Sequence, residues 1–287
     1  MRDSRLKYWL LGPPIALLLA TTFLPVLQVV NLSFQDWRIT LSPTPGPYVG
    51  IDNYARAFTD PAFWNSVRVT TLYTMLTVFF SLAIGLYVAV TLQRDHPFGN
   101  FVKALLIFPF AISLTLRGYS FRFMLLEGQG VLDTMIDRIF PFVDNVVWLA
   151  HPAWAVFWVS VPVFWAWGPL AGLMILGALN AIDRSIFEAA HIDGASSTTT
   201  FFSITLPLLR PMIVVVVLLV TLFSIRMFDL VLTMTFGGPG RATEMFNFFI
   251  YRVGFRFFDM GYASALAVIL TVVLVVLSYL YARRLVD

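Results

Sequence analysis

Residues 209–235 read LRPMIVVVVLLVTLFSIRMFDLVLTMT, and this apolar run decides the fold class of the chain. A helix needs about 20 predominantly apolar residues to cross a hydrocarbon core about 30 Å thick, and this run is long enough. The whole chain of 287 residues is similarly biased, with 59% hydrophobic and 12% charged residues. Soluble domains have about 45–50% and about 25% of these residues. The sequence therefore predicts an integral membrane protein of the all-α class.

Five further apolar runs, bounded by charged residues, Gly or Pro, bring the number of predicted transmembrane helices to six. The first follows the basic segment MRDSRLK, and its apolar stretch is too long for a signal peptide, so we expect a retained helix. Pro109 is expected to kink the third, where Arg117 and Arg122 are expected to extend toward the outer headgroups. We treat 1–287 as a single transmembrane domain. The predicted spans are about 8–31, 66–92, 104–127, 153–178, 209–235 and 261–282.

The positions of Lys and Arg orient these spans. Basic residues precede the first span and follow the last, so the positive-inside rule places both termini in the cytoplasm. An even number of crossings is then required, which supports counting the third run, interrupted by Pro109, Arg117 and Arg122, as a span. Loops 93–103 and 179–208 are predicted to be cytoplasmic, and loops 32–65, 128–152 and 236–260 to lie outside. The basic residues on the inside are Arg2, Arg5, Lys7, Arg94, Lys103, Arg184, Arg210, Arg283 and Arg284.

The longer cytoplasmic loop contains EAAHIDGASSTTTFFSITLPLLRP, residues 188–211, a polar stretch between two apolar spans. Ser185 followed three residues later by Glu188 is a capping box, which predicts the start of a short helix. The small side chains of Ala189 and Ala190 allow this helix to approach another backbone closely. The alternative is a well-capped connector on which nothing docks, with Glu188 occupied by capping.

The second half of this loop predicts another short helix. Gly194 is a natural helix stop, and Ser196 or Ser197 is expected to cap a helix through FFSITL. Pro207 is expected to end that helix, and Pro211 suits the first turn of the fifth span. The segment 183–208 is thus predicted to form a helix, a tight turn and a helix at the membrane surface.

The loop resembles the EAA loop of ABC-importer permeases, whose short helix docks into a cleft of the cytoplasmic ATPase. The match consists of EAA at 188–190, DGA at 193–195, Phe201, Ile204 and Leu-Pro at 206–207, with the family spacing kept throughout. The chain departs in the middle, where Ser197, Thr198, Thr199, Phe202 and Ser203 replace the aromatic and basic residues common in relatives. The ATPase-coupling residues that this resemblance implies are Glu188, Ala189, Ala190, His191, Asp193, Gly194, Ala195, Leu206 and Pro207.

Three other segments are similar to carbohydrate-type permeases related to the maltose-transport subunits. They are VGIDNYARAFTDPAFWNSVRVT at 49–70, GPLAGLMILGALNAID at 168–183 and FDLVLTMTFGGPGRATEMFNFFIYRVGF at 228–255. Residues 114–131 fit less well, and their Arg-x-Tyr pattern also resembles permeases for polyamines. The resemblance implies transport of a sugar or a polyol, glycerol included, with a polyamine or another small polar solute as the alternative.

The same resemblance implies the other components of an importer in a bacterial or archaeal cytoplasmic membrane. A second, homologous permease would complete the path, two copies of a cytoplasmic ATPase would drive it, and an extracytoplasmic binding protein would deliver the solute. ATP and Mg²⁺ would bind to the ATPase, and this chain would hold no cofactor. ATP would close the ATPase dimer, draw the two docking helices together and turn the path outward.

Charged side chains within a span are costly and usually face a cavity or a partner. Arg226 and Asp229 lie on one face of the predicted fifth helix, and Arg226 lies about 22 Å beyond Pro211, past the midplane. In maltose-type relatives, the polar residues that hold sugar come just before the Gly-Gly-Pro, which corresponds here to 224–228. The alternative is an internal Arg226–Asp229 ion pair that fixes helix packing.

The expected solute pathway combines polar contacts with aromatic faces. Ser224, Arg226 and Asp229 are expected to contact the solute, Phe228 to stack on it, and Met227 lies in the same segment. Trp165 and Trp167 could supply a second stacking surface, although Trp within a span more often serves packing or interfacial anchoring.

Other functions are disfavoured by what the sequence lacks. Gly-Gly-Pro-Gly at 237–240 is not followed by Lys-Ser/Thr, so the chain is not expected to bind nucleotide or to be an enzyme. There is no Cys, and His96, His151 and His191 are in separate loops, so neither a metal nor a haem site is expected. With a net charge of +3 and its basic residues at span ends, the chain is not expected to bind nucleic acid. A secondary transporter would need no docking loop, and the spans offer it mainly Asp229 as a coupling carboxylate.

Overall fold

A computed structural model describes residues 2–93, 99–140 and 146–286, and Arg94 and His96 lie outside the described residues. Helices dominate the described chain. Their bounds are α1 Arg2–Leu18, α2 Leu24–Leu32, α3 Asp52–Thr59, α4 Pro61–Leu92, α5 Gly99–Ala111, α6 Leu114–Met124, α7 Val131–Ile139, α8 Pro152–Asn180, α9 Arg184–Ile192, α10 Ser197–Thr200, α11 Leu206–Ile225, α12 Asp229–Met234, α13 Phe246–Phe255 and α14 Met260–Val286. π-Helical turns join α1 to α2 at Leu19–Phe23 and α10 to α11 at Phe201–Thr205.

In the described chain, five helical segments are long and apolar enough to cross a membrane, and the number is six if a bent pair of helices counts as one crossing. The pair is α5 and α6, which meet at an angle of 93°. The single spans are Trp9–Leu32, Pro61–Leu92, Pro152–Asn180, Ser197–Ile225 and Met260–Arg284. The prediction of six spans therefore holds when the bent pair is counted as one.

The third span bends at a different residue from the one expected. α5 continues through Pro109 to Ala111, and Ser113 then caps α6 by accepting a hydrogen bond from the backbone N–H of Leu116. Arg117 stabilises the break: its Nε and Nη2 donate to the carbonyl of Ile112, at 3.2 and 3.0 Å, and its Nη1 donates to the carbonyl of Pro162 at 3.1 Å. The last carbonyls of a helix lack intrahelical donors, so this arginine completes the end of α5. Only 4% of the Arg117 surface is exposed. The prediction that Arg117 extends toward the outer headgroups is therefore wrong.

The fifth span begins earlier and ends earlier than the sequence indicated. Pro207 does not end a separate helix, because Ser197–Ile225 runs as one span through the π-helical turn. A proline inside a helix removes an N–H and crowds the preceding turn. The π-helical turn just before Pro207 interrupts the regular backbone hydrogen bonds of the helix. There Thr205 Oγ1 donates to the carbonyl of Thr200 at 3.2 Å. Pro211 consequently lies inside the helix rather than in its first turn.

At its other end, α11 stops at Ile225, and α12 begins only at Asp229. α12 packs closely against α6. A methyl group added at Gly118 of α6 would come within 1.9 Å of Thr233 Oγ1, so this approach requires glycine. Arg122 Nη1 also donates to the carbonyl of Thr233 at 3.2 Å. The short helices α6 and α12, which follow the break in the third span and the end of the fifth, therefore lie against each other.

The chain divides into two units, Met1–Trp64 with Phe249–Leu274, and Asn65–Phe248 with Val275–Asp287. In the second unit, α8 is the most buried span and packs against α5, α6 and α11.

The first unit is held together by a network of charged and polar side chains at the start of α14. Asp259 Oδ2 lies 2.7 Å from Arg56 Nη1 and 3.6 Å from Arg38 Nε, and the Arg56 guanidinium lies 4.1 Å above the Tyr262 ring. The Tyr262 hydroxyl donates to Asp60 Oδ2 at 2.9 Å. These contacts tie the loop after the first span to the last span.

Candidate functional site

Helix α9, the expected coupling helix, begins at a different cap from the predicted capping box. Asp183 is the N-cap residue, and its Oδ1 accepts a hydrogen bond of 2.9 Å from the backbone N–H of Ser185. Ser185 is therefore inside the helix, and the capping box that paired it with Glu188 is wrong. An aspartate two residues upstream takes the role because its carboxylate is a stronger acceptor for helix N–H groups than a serine hydroxyl.

Because Asp183 caps the helix, the Glu188 carboxylate is not used for capping. Its carboxylate makes no hydrogen bond or ion pair with any residue that the structure describes, and both Glu188 and Ala189 are exposed. Ile192 lies three residues after Ala189 and four after Glu188, which places it on the same side of the helix. It is 84% exposed. Ala190 is buried, so α9 has one side against the chain and one free side. The free side carries a carboxylate, a small residue and a large apolar residue.

The tight turn after α9 follows the prediction. Gly194 has φ +74°, in the left-handed region that favours glycine. The backbone N–H of Ala195 donates to the carbonyl of Ala190 at 3.0 Å, and that of Gly194 donates to His191 at 3.1 Å, which closes the helix end. Ser196 then caps α10 by accepting from the N–H of Thr199 at 3.2 Å. His191 and Asp193 are exposed in this turn, Ala195 and Leu206 are half-buried, and Pro207 is exposed on the following span.

The predicted solute segment 224–229 lies at the break between α11 and α12. Arg226 is exposed, whereas Phe228 and Asp229 are half-buried. Since the helix stops before Arg226, the two charged residues do not share a helical face, and no carboxylate among the described residues lies within 4.0 Å of the Arg226 guanidinium. The alternative of an Arg226–Asp229 ion pair that fixes helix packing is therefore wrong.

Two neighbours of Arg226 are buried in the second unit. Ser224 has no exposed surface, and its Oγ lies 2.8 Å from Thr77 Oγ1 of α4. Met227 is also buried. The structure thus separates residues that the sequence grouped: Arg226, Phe228 and Asp229 offer accessible surface, whereas Ser224 and Met227 anchor the segment.

The aromatic residues of the predicted solute pathway differ in how accessible their rings are. Phe228 stacks on Phe248 with ring centroids 6.0 Å apart. Trp167 is only 8% exposed and lies between Phe110 and Phe223, at 5.2 and 5.3 Å, so its ring serves packing.

Trp165, on the same helix, is more accessible. It is 38% exposed and meets Phe121 edge to face at 5.6 Å. Of the two tryptophans, Trp165 is therefore the one with surface to offer a sugar ring.

Sequence reasoning missed Asn247, whose Nδ2 donates to the carbonyl of Arg226 at 2.9 Å across 21 residues of chain. Nothing in the local pattern around Asn247 indicates this contact, because it depends on how the chain returns after the break. The Thr77–Ser224 contact was missed for the same reason. Within the described part of the chain, no group of three or more side chains could hold a metal ion.

Residues 60–287 match the protein family described as "Binding-protein-dependent transport system inner membrane component". The chain belongs to this family. Its members are inner membrane components, so the predicted multi-pass membrane location is confirmed, and so is the prediction of an importer permease.

Two relatives show how far this permease family resemblance extends. The sulfoquinovosyl glycerol transport system permease protein SmoG of Agrobacterium fabrum is 34% identical over 281 residues, covering 98% of this chain and 90% of that protein. The trehalose/maltose transport system permease protein MalF of Thermococcus litoralis is 30% identical over 285 residues, covering 98% and 94%. The chain is thus similar to sugar-transport permeases over almost its whole length.

A solved structure confirms the all-α permease fold. One chain of a bacterial alginate ABC transporter, crystallised with an alginate pentasaccharide-bound periplasmic protein, superposes with a TM-score of 0.81 at 20% identity. The match covers 98% of this permease and 93% of that chain.

Proposed function

We propose that this permease moves a sugar or a polyol, and that the solute passes the break at residues 226–229. The observation that carries the proposal is the exposed Arg226 guanidinium. It lies at the break between α11 and α12, directly after the fifth span, and no carboxylate of a described residue lies within 4.0 Å of it. Its five N–H groups can donate to the hydroxyl oxygens of a solute.

The neighbours of Arg226 suit a carbohydrate. Asp229 can accept hydrogen bonds from hydroxyl groups, and Phe228, half-buried against Phe248, offers an aromatic edge or face to the apolar side of a sugar ring. The names of the relatives, which transport sulfoquinovosyl glycerol and trehalose or maltose, support the same solute class.

Helix α9 is proposed to couple this path to ATP. Its free side, with Glu188, Ala189 and Ile192, has the combination of a small residue and an exposed apolar residue that suits a docking surface. A separate cytoplasmic ATPase, present in two copies, would hold the helix and carry ATP and Mg²⁺, and this chain would catalyse no reaction itself. When ATP closes the ATPase dimer, the two docking helices would approach each other and open the path to the outside.

The proposed importer has further components, and this chain has a proposed orientation. Six spans are few to enclose a hydrophilic path, so a second, homologous permease would supply the other half. An extracytoplasmic binding protein would deliver the solute to the outer loops. Both termini of this chain would lie in the cytoplasm.

The structure gives no support to a polyamine as the solute. The Arg-x-Tyr pattern that resembles polyamine permeases includes Arg117, whose three donor nitrogens point to backbone carbonyls of Ile112 and Pro162. The pattern therefore has a structural explanation. The exposed cations Arg122 and Arg226 would also repel a polycation.

The test begins with the cognate binding protein, which is screened by thermal shift against neutral monosaccharides, disaccharides, glycerol and spermidine. The stabilising solute is then used to measure uptake by the complete importer in proteoliposomes. Arg226→Ala is expected to lower the kcat of uptake about tenfold to a hundredfold, because a hydrogen bond to a charged group contributes about 1.5–3 kcal/mol.

Arg138→Ala is the matched control, since Arg138 is an exposed arginine of α7 outside the solute segment. It is expected to retain uptake, and both variants should copurify with the ATPase. Stabilisation of the binding protein by spermidine alone would refute the carbohydrate proposal, and full uptake by Arg226→Ala would remove Arg226 from the path.

A further inference from the structure

We propose that Asn247 is a positioning residue for solute transfer, which holds the break between α11 and α12 so that the Arg226 side chain faces the solute path. The inference rests on the proposed role of Arg226 as a solute contact. Asn247 acts through the backbone of residue 226 and does not itself touch the solute.

The break leaves a carbonyl without its usual partner. In a continuous helix, the carbonyl of residue 226 would accept from the N–H of residue 230. α11 ends at Ile225, and α12 begins at Asp229, so this hydrogen bond is lost. A backbone carbonyl released at a helix end needs a donor from elsewhere. Asn247 Nδ2, at 2.9 Å from the Arg226 oxygen, supplies the missing donor.

The residues on either side of Arg226 are anchored as well. Ser224 is fully buried and hydrogen-bonded to Thr77 at 2.8 Å, and the N–H of Met227 donates to the carbonyl of Ser224 at 3.0 Å. Met227 itself is buried. With the carbonyl of Arg226 also bound by Asn247, the direction of its Cα–Cβ bond is determined. Only side-chain torsions remain free, which lowers the entropy lost when the guanidinium binds a solute.

A purely structural role for Asn247 makes a different prediction, and the two can be separated. Arg226→Ala removes the guanidinium but keeps the backbone carbonyl, so Asn247 would satisfy that carbonyl equally well in this variant. If Asn247 works by directing Arg226, its replacement loses its effect on uptake once the guanidinium is absent. If Asn247 only satisfies the backbone, its replacement is equally harmful in both backgrounds.

The experiment is a double-mutant cycle in the complete importer, reconstituted with its partner permease, ATPase and loaded binding protein. Asn247→Leu has a similar volume and no donor. It is expected to lower the kcat of uptake about twofold to tenfold, the equivalent of one hydrogen bond, with an unchanged KM for the loaded binding protein. In the Arg226→Ala background, the same replacement is expected to cause no further loss.

The chain contains a close control. Asn65 Nδ2 donates to the carbonyl of Arg241 at 3.1 Å, the same chemical contact at a loop away from the break. Asn65→Leu should leave the kcat unchanged in both backgrounds. Asn247→Gln keeps a donor and should retain more uptake activity than Asn247→Leu. If Asn247→Leu fails to assemble, Asn247→Ala takes its place in the cycle.

Two results would overturn the proposal. One is that Asn247→Leu lowers the kcat of uptake as much in the Arg226→Ala background as in the parent chain. The other is that Asn247→Leu does not change the kcat in the parent chain. If Arg226→Ala alone transports normally, the solute contact at Arg226 is refuted and the positioning role falls with it. That outcome differs from a failure of Asn247 alone, because there Arg226→Ala still lowers uptake.

Discussion

A single carboxylate decides where α9, the proposed coupling helix, begins. Asp183 accepts a hydrogen bond from the backbone N–H of Ser185 at 2.9 Å, so one of the unpaired N–H groups of the first turn is satisfied. The backbone N–H and then the hydroxyl of Ser185 lower the pKa of Asp183, because both stabilise its charged form. Asp183, and not the Ser185–Glu188 pair, therefore makes the start of α9 sensitive to acid.

The lowered pKa predicts how α9 responds to pH. A carboxyl group with a lower pKa in the folded state stabilises the fold above its unfolded pKa, and this contribution is lost as pH falls through the folded value. We expect the hydrogen-exchange protection of the first turn of α9 to decrease in that acidic range. Asp183→Asn keeps an acceptor that does not titrate, so its protection should not change there. Equal acid sensitivity of both proteins would contradict the role of Asp183.

Arginines within the spans show why residue type alone does not assign a role. Arg117 and Arg226 both interrupt apolar runs, and their local sequence does not separate them. Arg117 is buried and donates to backbone carbonyls at a bend, whereas Arg226 is exposed and has no carboxylate partner among the described residues. Burial and partners, which come from long-range packing, make the first structural and the second a candidate for function.

At the scale of elements, the described chain breaks inside the third span and directly after the fifth, and a side chain completes each break: one from five residues away and one from 21 residues away. Arg117 satisfies the end of α5, and Asn247 satisfies the residue after α11. The helices that follow, α6 and α12, pack against each other through Gly118 and Thr233. Hydropathy predicts that each run spans the membrane, but it contains no information on where a helix stops within lipid. Pro109, the obvious breaker in the third span, lies inside α5.

The coupling loop gives a prediction at the same scale. Gly194 has φ +74°, which a β-branched residue rarely adopts. Gly194→Val is expected to distort the turn after α9 and to abolish most of the binding-protein-stimulated ATP hydrolysis, while the permease still inserts. ATPase activity of the reconstituted complex is the measurement.

Gly177→Val provides the control for this change. Gly177 is a helical residue of α8 with open space where a side chain would be. Its replacement should preserve stimulated ATP hydrolysis. Normal stimulation by Gly194→Val would show that this turn is not part of the coupling path.

For the whole molecule, the proposed orientation in the membrane can be tested by labelling introduced cysteines. The chain contains no Cys, so no native cysteine has to be replaced first. Thr44→Cys and Thr198→Cys introduce thiols at exposed positions of the first long loop and of the coupling loop. In intact cells, a membrane-impermeant maleimide is expected to label Thr44→Cys and not Thr198→Cys. Both should be labelled after the membrane is permeabilised, and labelling of Thr198→Cys in intact cells would invert the topology.

The sequence by itself determined the membrane class and the six apolar runs, because hydropathy and span length are local properties. The spacing of the EAA loop, also a local property, predicted a docking loop at 183–208, and the family resemblance predicted a solute segment at 224–229. Only the tertiary structure decided which of those residues are accessible, because Ser224 and Met227 are buried while Arg226 is left exposed at the break. Asn247 is 21 residues away from Arg226 and reaches it only through the path of the folded chain. Contacts of this kind join distant parts of the chain, and no local pattern encodes them.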